Sequence, residues 1–200
     1  LLLVNQKKLF EINSLNNEFY KKNKELKLNL SSIAKGFGID QIGNKLETLG
    51  IRNYLINIGG DLLAKGNNKN KKDWIIGIEN PNLKEKLVKE IINVSNKGIA
   101  SSGDYKNFFI KNGKKFSHII NPNTGKPITH KTKSVTVVSY NATNADGWAT
   151  ALLAMGSKKG FKLAEKTGMA VLFIDEVNEK LIKIKSSEFK KLVKEWIEYL

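Results

Sequence analysis

An α+β fold, with a mixed, largely antiparallel sheet and helices packed on it, follows from three features of the sequence. Strand-like and helix-like segments are interleaved without the regular βα alternation of a doubly wound sheet. An Asn112-Gly113 pair between two strand-like runs marks a two-residue hairpin, because both residues tolerate the positive φ of a type I′ turn. The runs Met169–Asp175 and Leu181–Ile184 are close enough to form a second hairpin. With 40% hydrophobic and 26% charged side chains in 200 residues, the chain has enough apolar surface for a core and is too apolar for disorder. One domain over 1–200 is expected.

In chain order, Leu1–Val4 reads as a short strand and Leu9–Ile12 as a second. Ser31 or Ser32 can cap a helix whose apolar positions Ile33, Phe37, Ile42, Leu46 and Leu49 fall near helical spacing, with Gly50 as the stop. Strands follow at Asn53–Ile58, Leu62–Ala64, Trp74–Ile78, Val88–Val94 and Phe108–Lys111, each bounded by Gly, Asn or Pro. The alternating run Ser134–Tyr140 is another strand. Asn144 is expected to cap a helix carrying Trp148, Leu152 and Met155 on one face up to Gly156. A helix over Lys158–Lys166 precedes the second hairpin. Phe189, Leu192, Val193, Trp196, Ile197 and Leu200 then form one core-facing stripe of a last helix.

Composition narrows the chemistry. With no cysteine, disulfides, zinc thiolates, iron–sulfur clusters and cysteine nucleophiles are all excluded, so a metal must use oxygen or histidine ligands. Apolar runs such as Met169–Ile174 fall far short of the roughly 20 residues that span a bilayer. The opening LLLVNQKKLFEI has neither an initiator Met nor signal-peptide features and reads as a strand entered midway, so an N-terminal portion, able to carry an export signal, is expected to be absent. The net charge of +15 favours anionic partners in general. However, Arg52 is the only arginine and the lysines are dispersed, whereas base-edge readers favour arginine forks, so a solvated lysine surface is expected rather than a nucleic-acid site.

Four segments depart from mere scaffolding. LNLSSIAKGFGID places Lys35 and Gly36 near a helix N-terminus, where amides and the dipole can receive phosphate oxygens, although it lacks both the Walker and the dinucleotide spacing. In NIGGDLLAKG, Gly59 and Gly60 permit a tight turn or a close ligand approach before Asp61. GIASSGDYKNFFIKNGKKFSHIINPNTGKPI places Ser101, Ser102, Gly103 and Asp104 in a loop and His118 at a strand end, while His130 reads as a surface residue. Finally, Asp146 and Thr150 stand four residues apart on one helix face, a hard oxygen pair suited to Mg²⁺; by itself, an early-helix Asp is more often a dipole partner.

In order, these segments resemble the ApbE family of FAD:protein FMN transferases. The resemblance rests on L-x-L-S-S-I-A-K-G-x-x-x-D (Leu28–Asp40), N-I-G-G-D (Asn57–Asp61), A-S-S-G-D-Y (Ala100–Tyr105), S-H-I-I-N-P-x-T-G-x-P (Ser117–Pro127), S-V-T-V-V (Ser134–Val138) and A-D-x-x-A-T-A-L (Ala145–Leu152). It implies a fold like that family's and Mg²⁺ bound by Asp146 and Thr150, the backbone carbonyl of Ser32 and, as a further carbonyl, Ala149. It also implies FAD contacts from Asn29, Lys35, Ser102, Asp104, His118 and Ile120, with His118 and Asp146 as catalytic candidates. The family's usual aspartate before L-S-S-I-A-K-G is Asn29 here, which removes a carboxylate, keeps an acceptor and adds a donor.

The activity so implied is transfer of the FMN moiety of FAD to a Thr/Ser hydroxyl of an acceptor flavoprotein with release of AMP. Its expected setting is outside the cytoplasmic membrane, with any lipid anchor upstream of residue 1. Two other readings stand beside it: an FAD-binding or FAD-hydrolysing relative without transferase activity, and a basic binder of nucleic acid or anionic surfaces.

Overall fold

The computed structural model describes residues 9–79, 81, 88–104, 108–111, 114–122 and 124–193. It opens with β1 (Phe10–Asn13) paired to β2 (Glu18–Lys21), followed by the long helix α1 (Ser31–Thr48). Next come the hairpin β3 (Tyr54–Ile58) and β4 (Asp61–Lys65), the ribbon β5 (Trp74–Glu79) and β6 (Val88–Val94), and β7 (Lys97–Gly103). Two short ribbons follow, β8 (Phe108–Lys111) with β9 (Lys114–Ser117), and β10 (Ile120–Asn121) with β11 (Lys126–Pro127). The chain continues through β12 (Thr132–Ser139), α2 (Ala142–Met155), α3 (Ser157–Thr167), β13 (Ala170–Val177), β14 (Lys180–Lys185) and the short α4 (Ser187–Lys190).

Six strands make the central sheet in the order β14-β13-β12-β7-β4-β3, and every neighbouring pair is antiparallel. Side chains alternate across a strand, so each central strand feeds two cores. On one face Ala100, Val135, Val137, Val171 and Phe173 pack against Ala145, Ala149, Leu152 and Leu153 of α2 and Ala164 of α3. On the other, Leu62, Ala64, Ile99, Val138, Leu172 and Ile174 meet Ile76, Ile78, Ile92 and Val94 of the β5–β6 ribbon, together with Phe189. Each fully buried Val, Leu, Ile or Phe contributes about 1.5–3 kcal/mol of transfer free energy, so the two cores dominate the fold's stability.

Several expectations are corrected. α1 buries only part of the stripe read from its apolar spacing: Ile33 and Leu46 are half-buried, Leu46 against Ile39, Tyr54 and Leu63, but Phe37, Ile42 and Leu49 are exposed, and the fully buried positions are Gly36, Ile39 and Gly43. The face is chosen by close approach of neighbouring side chains to the bare helix backbone, since a Cβ on Gly43 would come within 2.7 Å of the Leu63 side chain and 2.9 Å of the Tyr54 hydroxyl. Leu30 is the N-cap of α1, and Asn29 Oδ1 accepts the Ser31 N–H at 2.9 Å in place of a serine cap. α2 is capped by Asn141, whose side chain accepts the Asn144 N–H at 2.8 Å.

Ser101, Ser102 and Gly103, read with Asp104 as a loop, instead end the central strand β7, because partners on both sides of that strand supply ladders that local propensity does not foresee; Asp104 alone lies beyond it. His130 is half-buried rather than a surface residue. Its ring lies against Gly156, and Nδ1 accepts the Thr132 N–H at 3.3 Å. The β8–β9 pairing sets Lys111 opposite Lys114, as a two-residue connection requires. Residues 112–113, the strand expected at Leu1–Val4, and Trp196, Ile197 and Leu200 of the last stripe lie outside the described residues. Among the described residues no helix is long and apolar enough to cross a membrane.

Glu90 ties the β5–β6 ribbon to the sheet. Its carboxylate lies 2.9 Å from Lys183 Nζ and 2.8 Å from Lys185 Nζ, both on β14. Burial pushes its pKa up, but the two ammonium groups outweigh burial and leave it below the ordinary glutamate value. A carboxylate whose native pKa is depressed adds stability above its unfolded pKa and loses it as pH falls through the native one. Glu90→Gln is expected to cost about 1 kcal/mol at pH 7, discounted for the part-exposed lysines. In urea unfolding, the difference from the parent should vanish once pH falls below the depressed native value.

Candidate functional site

The site grows from the crossing of α1 and α2. Gly36 makes this crossing possible: a Cβ there would lie 2.4 Å from the Ala142 carbonyl oxygen and 2.8 Å from Thr143 Cα, so only glycine lets the two backbones touch. Four residues on, Asp40 accepts the Ala142 N–H at 2.9 Å, the Thr143 N–H at 2.8 Å and the Thr143 hydroxyl at 2.5 Å. α2 has no acidic residue in its own first turn, so Asp40 supplies both missing acceptors and the negative charge that its N-terminus favours.

α2 answers with Asp146, whose Oδ2 accepts the Gly36 N–H at 3.0 Å. In a helix, the i−4 partner of that N–H is the Ser32 carbonyl, which puts Asp146 against the turn of α1 that carries Ser32. Asp146 is 6% exposed. Burial raises its pKa and the Asp61 charge adds to the rise, while the Gly36 N–H and the Lys35 charge oppose it; the net direction is upward. One turn further along α2, Thr150 Oγ1 lies 3.1 Å from Ser102 Oγ at the end of β7. The Asp146–Thr150 pair therefore faces the sheet end where Ser102 emerges.

Lys35 and Asp61 complete the cluster. Lys35 Nζ is 2.9 Å from Asp61 Oδ2, and Asp61 Oδ1 accepts the Ser101 N–H at 3.3 Å. Asp61 follows the two-residue turn Gly59-Gly60, whose φ values of 58° and 93° both lie in the left-handed region, and Asn57 Oδ1 accepts the Gly60 N–H at 3.1 Å. That turn and the end of β7 also border a cavity of about 490 Å³ on the opposite face of the sheet, between it and β5, lined in part by Ile76, Ile78, Ser102 and Ser134. The charged cluster and the cavity thus share one rim at the same end of the strands.

Among the expected site residues, the structure brings together Ser32, Lys35, Ser102, Asp146 and Thr150. Ala149 is adjacent, but its methyl is buried in the core. Asn29 is exposed and occupied by the Ser31 N–H. Asp104 lies just beyond β7, with Lys133 Nζ at 4.0 Å. His118, just after β9, and Ile120, at the start of β10, are both exposed; neither lines the cavity, and neither do Lys35, Asp146 and Thr150, which stand on the helix side. Asp40 and Asp61 belong to the site's framework and had not been assigned roles, although both close quoted motifs. Their partners lie about 100 and 26 positions away in sequence, in Ala142–Thr143 and Lys35, so spacing could not reveal them. Among the described residues no group of three or more His, Asp or Glu gathers as a metal cage.

An antiparallel sheet with two crossed helices that gather hard oxygens and an ammonium group beside a cavity defines an α+β domain with one polar cluster at the end of its strands. The chain belongs to the ApbE family, whose model matches residues 1–173. It is 46% identical over 166 residues to the FAD:protein FMN transferase of Haemophilus influenzae, covering 82% of this chain and 48% of that protein. It is 40% identical over 194 residues to the protein of the same name from Buchnera aphidicola subsp. Schizaphis graminum, covering 96% and 57%. The flavin transferase ApbE of Vibrio cholerae matches the fold with a TM-score of 0.80 at 38% identity, over 92% of this chain and 58% of that one. The ApbE protein of Thermotoga maritima matches with a TM-score of 0.81 at 28% identity, over 94% and 60%. The chain spans about half the length of the curated relatives it matches.

The crossing yields a paired test. Gly36→Ala should cost about 2–3 kcal/mol in urea unfolding, because the added methyl meets backbone that cannot yield. Gly38→Ala, whose methyl meets nothing within 4 Å, should instead stabilise α1 by about 0.5–1 kcal/mol. Equal effects at the two positions would contradict the close crossing.

Proposed function

We propose that this chain carries the FAD-binding and catalytic part of an FAD:protein FMN transferase. The reaction moves the FMN moiety of FAD to a threonine or serine hydroxyl of an extracytoplasmic acceptor flavoprotein and releases AMP. The observation that carries the reading is the meeting of the Asp146 carboxylate, the Ser102–Thr150 hydroxyl pair and the Lys35 ammonium at one end of the sheet, beside the cavity. The names borne by the relatives support it.

The donor set fits Mg²⁺. All its donors are hard oxygens, and Asp146 is a buried carboxylate whose ionisation burial makes costly, a cost that a divalent cation offsets. Asp146, Thr150 and the Ser32 carbonyl would hold the ion, with the Ala149 carbonyl as a further candidate. So few protein ligands leave coordination positions for phosphate oxygens and water. When bound, Mg²⁺ neutralises diphosphate charge and makes the phosphorus more open to attack.

The chain's own residues position the rest. Lys35 pairs with the diphosphate and stabilises the charge that collects on departing AMP. Asn29, Ser102, Asp104 and Ile120 are the proposed contacts to the remainder of FAD, and His118 is the candidate acceptor for the hydroxyl proton. As the acceptor oxygen bonds to the flavin-side phosphorus, the bond from that phosphorus to the AMP oxygen breaks.

A titration with FAD, followed by flavin fluorescence, tests the site. Binding should require Mg²⁺, disappear with EDTA, and weaken at least about tenfold in Asp146→Ala. Incubation with an acceptor flavoprotein should release AMP and leave the flavin covalently attached. Cleavage of FAD to FMN and AMP without a labelled acceptor would replace transfer by hydrolysis. Indifference to FAD combined with salt-sensitive nucleic-acid binding would sink the flavin reading.

A further inference from the structure

We propose that Asp61 is a positioning residue for Lys35, holding its ammonium group at the cavity rim where the diphosphate is to be received. The proposal rests on the reading of Lys35 as a diphosphate contact and adds a residue to that site. Lys35 stands on the second turn of α1 with its side chain 38% exposed, and a lysine so placed would sample many rotamers. Asp61 is 1% exposed and has no such freedom. Its position is set by the start of β4 and by the Ser101 N–H at 3.3 Å, and its other oxygen lies 2.9 Å from Lys35 Nζ.

The turn before Asp61 shapes the path of the lysine. An added Cβ on Gly59 would come 3.7 Å from Lys35 Cδ, so the lysine stem runs along the Gly59-Gly60 turn, which itself borders the cavity. An ammonium has three N–H donors, and the pairing with Asp61 uses one direction among them. Withdrawing a carboxylate from water is costly, and a core of this size has apolar alternatives at a strand start. Here that cost is offset by the Lys35 ammonium and the Ser101 N–H, and the pairing fixes where the cation sits. The same pair sets the local field: the charges of Asp61 and Lys35 both reach Asp146, with opposite signs.

Asp61 touches Lys35 and not the ligand, so its test is a double-mutant cycle on the intact protein. Asp61→Asn keeps the shape and an acceptor for Ser101, and thermal unfolding by circular dichroism confirms that each variant is folded. FAD and riboflavin, which has no phosphate, serve as the two probes. Asp61→Asn should weaken FAD binding about five- to tenfold, the cost of re-ordering a released lysine, and leave riboflavin binding unchanged. In the Lys35→Met background the same substitution should have no further effect.

Unchanged or tighter FAD binding in Asp61→Asn overturns the proposal. So does an equal loss for FAD and riboflavin, or the same loss in both backgrounds, since each marks a merely structural carboxylate. If Lys35→Met itself binds FAD as tightly as the parent, the diphosphate role of Lys35 fails and the positioning role falls with it.

Discussion

The site depends on a reciprocal clamp between two helices. Asp40 of α1 closes the amides at the start of α2, and Asp146 of α2 accepts an amide of α1 at Gly36. Each helix therefore supplies a carboxylate to the other's backbone, and the absent side chain at Gly36 lets these bonds form at once. Bonds between charged acceptors and backbone amides are stronger than neutral ones. Three of them fix the relative height of the helices more sharply than apolar contact could. Asp146, Thr150 and the Ser32 turn meet because the clamp leaves them no other register.

The sheet supplies the other half of the geometry. Because β4 and β7 pair antiparallel, the start of one and the end of the other fall at the same edge of the domain, carrying Asp61, Ser101 and Ser102 to one place. Alternation along β7 then divides the labour. Ser102 reaches towards Thr150 on the helix side, while Ser101 bonds Thr136 at 2.8 Å on the other face. The two sides of such a rim therefore differ in character, with hard oxygens and an ammonium group on the helix side and a partly apolar cavity on the other.

A second buried polar cluster shows what a purely structural network looks like in the same molecule. Asp175 accepts the Thr132 hydroxyl at 2.8 Å and the Ser157 hydroxyl at 2.7 Å, and Thr132 Oγ1 accepts the Ser157 N–H at 2.9 Å. These bonds pin the start of α3 to β12 and β13. The candidate site differs in opening onto a rim and in pairing its buried carboxylate with a half-exposed lysine.

The elements of the fold were legible where the local pattern and the tertiary environment agree. The alternating strand Ser134–Tyr140 and the hairpin of Met169–Asp175 with Leu181–Ile184 are of this kind, because period-two spacing sets which side chains can share a core, whereas of the face expected on α2 only Leu152 is buried and Trp148 and Met155 are exposed. The ordered motifs from Leu28 to Leu152 likewise pointed to the family, since each holds its chemistry in consecutive residues. Three features belonged to the tertiary structure alone: the buried face of α1, the strand at Lys97–Gly103 and the partners of Asp40 and Asp61. α1 turns Gly36 and Gly43 inward because the α2 backbone approaches the first and the Leu63 and Tyr54 side chains approach the second, and Gly-Ser segments become strands when ladders exist on both sides. A carboxylate finds its amide or ammonium only after chain closure has brought the two together, and no spacing within the sequence encodes that meeting.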